Sequence, residues 1–257
     1  MSQLVTTDNK LYNGQGSLIA AIAINGVAGK FFELGNLEKL EVTLKRTATP
    51  IKETQTGQGG TLRTDYHSPE IEIAADLHNF NQANAKLLLK SAGKAMPAKT
   101  VTGETLLDDL IAGDIVRLKG VNVSSVVIKD SASSPATLDP GEHYISTPQG
   151  SVKFLDVTGF TQPFKADYAQ AASTSMTILS GNEVELWLSF EGLNRAENME
   201  PVLVDFYRCQ TDLLEKITLL TETSTTFPLK ASVLLDPTKQ QDDEYGYFGR
   251  VVMINQP

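Results

Sequence analysis

Residues 45–77 read KRTATPIKETQTGQGGTLRTDYHSPEIEIAADL, and the way this stretch folds decides the architecture. Both flanks have the two-residue period of β-strands. Leu40, Val42 and Leu44 alternate with Lys39, Glu41, Thr43 and Lys45, and Ile71, Ile73, Ala75 and Leu77 alternate with Glu70, Glu72, Ala74 and Asp76. Each pattern predicts a strand with one buried and one solvated face. The middle, residues 47–68, is polar and much longer than the two-residue turn that can join antiparallel strands. We read it as a long excursion with a flexible or partner-ordered tip. Gly57-Gln58-Gly59-Gly60 at its centre has the composition of a phosphate cradle, yet no helix follows to supply the N-terminal dipole that holds an anion.

The same alternation recurs along the chain. Val184, Leu186, Leu188 and Phe190 alternate with Glu183, Glu185, Trp187 and Ser189, and Val202, Val204 and Phe206 are interleaved with Leu203, Asp205 and Tyr207. Further strands are expected at 115–119, 121–129, 142–146, 151–155, 164–169, 230–235 and 247–254, and the apolar run 18–24 reads as a buried strand. Residues 79–93, NFNQANAKLLLKSAG, break the rhythm. Asn79 or Asn81 can cap a helix whose apolar stripe is Phe80, Leu87 and Leu88, with Gly93 ending it. A second, shorter helix is expected at 104–111. Loops at 94–103 and from Ser131 (SASSPATLDPGEH) divide the chain. The expected class is mostly β, a sandwich or barrel with one flanking helix.

Composition narrows the function. The 257 residues are 41% hydrophobic and carry 22 Lys and Arg against 31 Asp and Glu, a formal charge of −9. That balance argues against a surface built to grip phosphates, but does not exclude one that DNA passes without sticking, since like charge repels the backbone. No run approaches the roughly 20 apolar residues of a membrane helix, and the N-terminal stretch lacks the features of a secretory signal. Cys209 is the only cysteine and His67, His78 and His143 are scattered, so neither a disulfide nor a zinc site is expected.

Catalytic patterns are missing. The sequence has no Gly-x-Ser-x-Gly elbow and no phosphate loop. Asp108-Asp109 and Asp242-Asp243-Glu244 read as solvated surface, whereas Glu70, Glu72 and Asp76 share one side of one strand and should face water or a channel. No nucleophile, base and orienting group can be assembled, and no enzyme activity, cofactor or metal is expected.

The order strand, polar excursion, strand, helix over residues 35–93 resembles the tail tube (major tail) protein of bacteriophages with long non-contractile tails. The stretch 123–156, VSSVVIKDSASSPATLDPGEHYISTPQGSVKFLD, resembles the middle section of that group's relatives. The resemblance implies a β-sandwich or split barrel with a flanking helix and a long β-hairpin loop. Six subunits pool their inner sheets into a ring lined by a β-barrel, and rings stack into a tube that conducts DNA from capsid to host. On this reading residues 39–45 and 70–77 are inner strands, 183–190 and 201–209 form a second inner pair, and 80–92 are the flanking helix. Glu41, Glu70, Glu72, Asp76, Glu183 and Glu185 are candidates for an acidic lumen. Within the excursion, Thr49, Lys52, Glu53, Gln55, Gly57, Gln58, Gly59, Gly60 and Arg63 are candidates for contact with the next ring.

The same resemblance implies a single domain over 1–257 with an N-terminal arm, 1–16, and an outer insertion at 113–172 or 221–243. It implies a homo-oligomer in the virion tail, made in the host cytoplasm. Its partners would be tape measure, tail terminator and tail tip proteins, with double-stranded DNA passing unbound and no membrane contact. The competing reading is a non-enzymatic β-sandwich that recognises a carbohydrate or protein surface through Trp187, Tyr207 or Tyr168.

Overall fold

The computed structural model describes residues 10–239 and 244–254. Strands β1 (Gly14–Ile24) and β2 (Val27–Glu33) form a hairpin closed by Asn25-Gly26, both at positive φ as a tight primed turn requires. A second hairpin joins β3 (Leu37–Lys52) to β4 (Thr61–Leu77), and helix α1 (Gln82–Leu88) follows. Nine short strands come next: β5 (Lys94–Met96), β6 (Lys99–Thr105), β7 (Ile115–Arg117), β8 (Val123–Lys129), β9 (Thr137–Leu138), β10 (Tyr144–Ser146), β11 (Ser151–Phe154), β12 (Lys165–Gln170) and β13 (Ser173–Ser175). The chain ends with β14 (Glu185–Asn194), β15 (Glu200–Thr211), β16 (Phe227–Val233) and β17 (Gly249–Met253). The protein is mostly β, and it divides into two compact units, one of them Gly93–Met176 and the other built from the chain on either side.

The first unit is one large antiparallel sheet in the order β2-β1-β14-β15-β16-β4-β3. β15 is long enough for Val202–Phe206 to pair with β17 while Cys209–Thr211 pairs with β16. The sheet is open, with β2 and β3 at its edges. Its core face carries Leu18, Ala20, Leu186, Leu188, Leu229, Ala231, Ile73 and Ala75, and Leu87 and Leu88 of α1 join the same cluster. The Asn81 side chain caps the helix by accepting the Asn84 N–H at 2.8 Å, an arrangement that stabilises a helix by about 1 kcal/mol. Asn84 is fully buried, and its amide donates to the Leu34 and Asn79 carbonyls at 2.7 and 2.8 Å.

The second unit has its own core. A sheet in the order β10-β11-β7 contributes Tyr144, Val152, Phe154 and Val116, and one in the order β6-β12-β8-β9 contributes Ala166, Tyr168, Ile128 and Leu138. The Ser- and Pro-rich connection after β8 is organised by Asp130, whose carboxylate accepts the N–H groups of Ala136, Ala132 and Thr161. Those backbone bonds hold the Asp130 carboxyl below the usual range. Residues 113–172, one of the two segments expected as an insertion, fall within this unit.

Several expectations are corrected. The helix expected at 80–92 spans only Gln82–Leu88, because the chain turns at Leu89 and Lys90 has φ +48. No helix forms at 104–111; Glu104 belongs to the end of β6, and its buried carboxylate accepts the Lys119 N–H and the Tyr168 hydroxyl. The polar excursion 47–68 is mostly a paired ribbon: Thr49 stands opposite Asp65 and Ile51 opposite Arg63, residues 53–60 form the turn, and Leu62 and Ser68 are bulged out of the ladder. A ladder satisfies its own N–H and C=O groups whatever the side chains. On β3, Leu40 is half-buried against the core, but Val42 is 41% and Leu44 75% exposed, since among the described residues no layer covers that part of the strand.

Candidate functional site

The register of the large sheet decides which side chains share a face, since directly opposed residues point the same way. Lys39 opposes Asp76, Glu41 opposes Ala74, Thr43 opposes Glu72 and Lys45 opposes Glu70. Across β4, Lys230 opposes Ala74 and Ser232 opposes Glu72; Ser232 in turn opposes Gln210, and Gln210 opposes Glu185. Glu41, Glu70, Glu72, Asp76 and Glu185 therefore lie on the face opposite the core, and Glu183 joins them by accepting from the Gln210 amide.

That face is mixed rather than purely acidic. Lys39 Nζ is 2.8 Å from Glu41, Lys45 Nζ 2.7 Å from Glu72, and Lys230 Nζ 2.8 Å from Glu215. Hydrogen bonds to those carboxylates raise the pKa of Lys39, Lys45 and Lys230 above the usual lysine value. Arg208 grips Glu185 with Nε at 2.6 Å and Nη2 at 2.7 Å, so the Glu185 carboxyl is held low. The acids of β4 meet cations on the neighbouring strand, Lys45 opposite Glu70 and Lys39 opposite Asp76, which reduces the repulsion of a one-sign ladder.

At the far end of the β3–β4 ribbon the turn is built from its own polar groups. The Glu53 N–H donates to the Gly60 carbonyl at 2.8 Å, and the Thr56 N–H and hydroxyl both donate to the Glu53 carboxylate at 2.5 Å. These bonds hold the Glu53 carboxyl low. Gly57 and Gly59 have φ of +73 and +64 with open space where a Cβ would stand, so glycine is required there by conformation and not by crowding. Gln55 and Gln58 are exposed, Lys52 Nζ donates to the Thr61 hydroxyl at 3.0 Å, and Arg63 Nε lies 2.5 Å from Asp65. Thr49, Lys52 and Arg63 thus sit on the paired ribbon, whereas Glu53, Gln55, Gly57, Gln58, Gly59 and Gly60 form its tip.

Of the aromatics of the competing reading, Tyr168 and Tyr207 are buried and Trp187 is half-buried. Tyr207 is fully buried, with its hydroxyl donating to the Tyr245 carbonyl at 2.9 Å. Trp187 meets Tyr207 edge-on at 4.7 Å between ring centroids, and the Lys239 ammonium lies 5.0, 5.3 and 5.8 Å from the Trp187, Tyr207 and Tyr245 rings. In the second unit, burial first and the bond to Glu104 next push the Tyr168 hydroxyl up to about 12. Cys209 is fully buried and its thiol is also pushed up to about 12, which removes it as a nucleophile.

Sequence reading missed three groupings. Asp139, Glu142 and His143, close together in sequence, bring ligand atoms within 4.8 Å of one another on the surface of the second unit. Asp242 and Asp243 lie outside the described residues. The clasp around Lys239 joins residues from three distant segments, so no local spacing announces it. Lys90 is 7% exposed and donates to the Thr211 carbonyl and hydroxyl at 2.6 and 2.8 Å, with no carboxylate in ion-pair range among the described residues. It borders a cleft of about 480 Å³ between α1 and β1, β2 and β14, a size within the usual range of ligand pockets.

No curated protein matches the chain. A family model described as "protein of unknown function UCP028589" matches residues 11–252, and the chain belongs to that family.

Proposed function

We propose that this protein is a structural, self-assembling subunit of a phage tail tube. Copies join through their large sheets into rings, hexameric on the resemblance, and the rings stack into a channel for double-stranded DNA. The observation that carries this reading is the unfinished state of the large sheet. β3 offers sixteen residues at an edge, with Val42 and Leu44 uncovered. The opposite edge leaves Val27 68% and Phe31 44% exposed. A long open edge with uncovered apolar side chains can template pairing with another copy, which makes it a joint in an assembly.

The charged face supports the second half of the proposal. Lys39, Lys45 and Arg208 are each held by a carboxylate, so a phosphate backbone passing over them meets few cations free to release counterions and grip it. The ribbon tip, polar and able to adopt glycine conformations, is suited to meet the next ring, and tape measure, terminator and tip proteins would bound the tube. A helical reconstruction of the assembled protein tests this: Glu41, Glu70, Glu72, Asp76 and Glu185 should face the channel. Their placement on the outer surface would overturn the proposal.

A further inference from the structure

The first unit carries both a hole and a knob. The hole is the cleft bordered by Ile22, Phe32, Leu87 and Val184, with Lys86 exposed at its rim and Lys90 buried in its wall. A buried ammonium that has only neutral acceptors is costly to desolvate and is stabilised when a carboxylate reaches it. An apolar slot with two cations, on a protein of charge −9, fits a segment that is apolar and acidic.

The knob is such a segment. Leu219 and Leu220 are 86% and 93% exposed, the two most exposed large apolar side chains among the described residues. They lie on the irregular stretch between β15 and β16, and Glu222, two residues further on, is exposed and has no ion-pair partner among the described residues. Adjacent leucines exposed to this degree are unfavourable in water unless another surface covers them.

We infer that the Leu219-Leu220 knob of one copy docks in the α1 cleft of a second copy, with Glu222 facing Lys86 and Lys90. This rests on the proposed self-assembly and names one of its joints. Because knob and hole are different patches, the contact is head-to-tail, the kind that closes into a ring or runs on as a filament. It also explains why Lys90 is kept where an apolar side chain would pack at lower cost.

Two variants of the full chain test it, both altering exposed positions so that the fold should persist. One replaces Leu219→Asp and Leu220→Asp; the other replaces Ala83→Glu and Lys86→Glu at the cleft rim. By sedimentation velocity each alone should lose at least about tenfold in association constant, as removal of an interface anchor does. An equimolar mixture keeps one intact knob and one intact hole, and should form discrete heterodimers. Unchanged assembly by either variant, or a mixture no more associated than its components, would overturn the inference while leaving the tube reading intact. A wild-type chain that stays monomeric at every concentration, also after addition of preformed tail initiation complexes, would contradict both.

Discussion

Val42 stands directly opposite Ile73 in the β3–β4 ladder, on the same face of the sheet, yet Ile73 is 2% exposed and Val42 41%. The covered core therefore thins out along the outermost strand: Leu37 and Leu40 still pack on it, whereas Val42 and Leu44 are left exposed. Ile73→Ala should cost about 2–5 kcal/mol in unfolding free energy, as cavity-forming core truncations do. Leu44→Asp, at a 75% exposed position, should change unfolding free energy by less than about 0.5 kcal/mol but weaken self-association. Chemical denaturation beside sedimentation measures both, and a Leu44→Asp chain that associates like wild type would contradict the edge as a joint.

The ribbon tip separates stacking from folding. Deleting residues 55–61 removes the glycine turn but no core side chain, so the protein should keep its melting temperature and its rings while failing to form tubes. Tubes of normal length from this variant would exclude the tip as the contact between rings.

Trp187 is the only tryptophan, so its fluorescence reports on the clasp that holds Lys239. Lys239→Met should shift the emission and lower stability by about 0.5–2 kcal/mol, the range of a partly desolvated cation–π contact. An unchanged spectrum and unchanged melting would mean the ammonium does not rest against the rings in solution.

Acid should act on the second unit through Asp167. Its carboxylate accepts from Lys129 Nζ at 2.9 Å and from the Gly103 N–H at 2.7 Å, and these two bonds, Lys129 first, hold its pKa below the ordinary aspartate value. A depressed carboxyl contributes stability above its unfolded pKa of about 3.9, and that contribution is lost as pH falls through the lower folded value. Asp167→Ala should therefore cost about 1–2 kcal/mol at pH 7, and the gap from wild type should close below about pH 4. A gap that stays constant from pH 7 to 3 would show that the charge does not matter there.

Much of this was legible because strand patterning is local. The alternations at Glu70–Leu77 and Val184–Phe190 place charged and apolar side chains on opposite faces without reference to anything else. The same argument held at Leu40, which packs on the core, and failed at Val42 and Leu44, because alternation says which side chains share a face and not whether a layer covers that face. It failed again at residues 47–68, where polar composition suggested a loop although a ribbon needs only paired backbone groups. The cations among the lumen candidates were hidden for another reason: Lys230 and Arg208 reach that face through pairing between strands far apart in sequence. Lys90 was invisible as well, since its buried environment is made by Thr211, 121 residues away.

The most direct measurement is electron microscopy of the purified full chain, concentrated stepwise at several ionic strengths. Stacked rings or tubes with an open central channel are the predicted result. Dispersed single particles under every condition, including after addition of preformed tail initiation complexes, would contradict the central claim that this protein builds a tube from copies of itself.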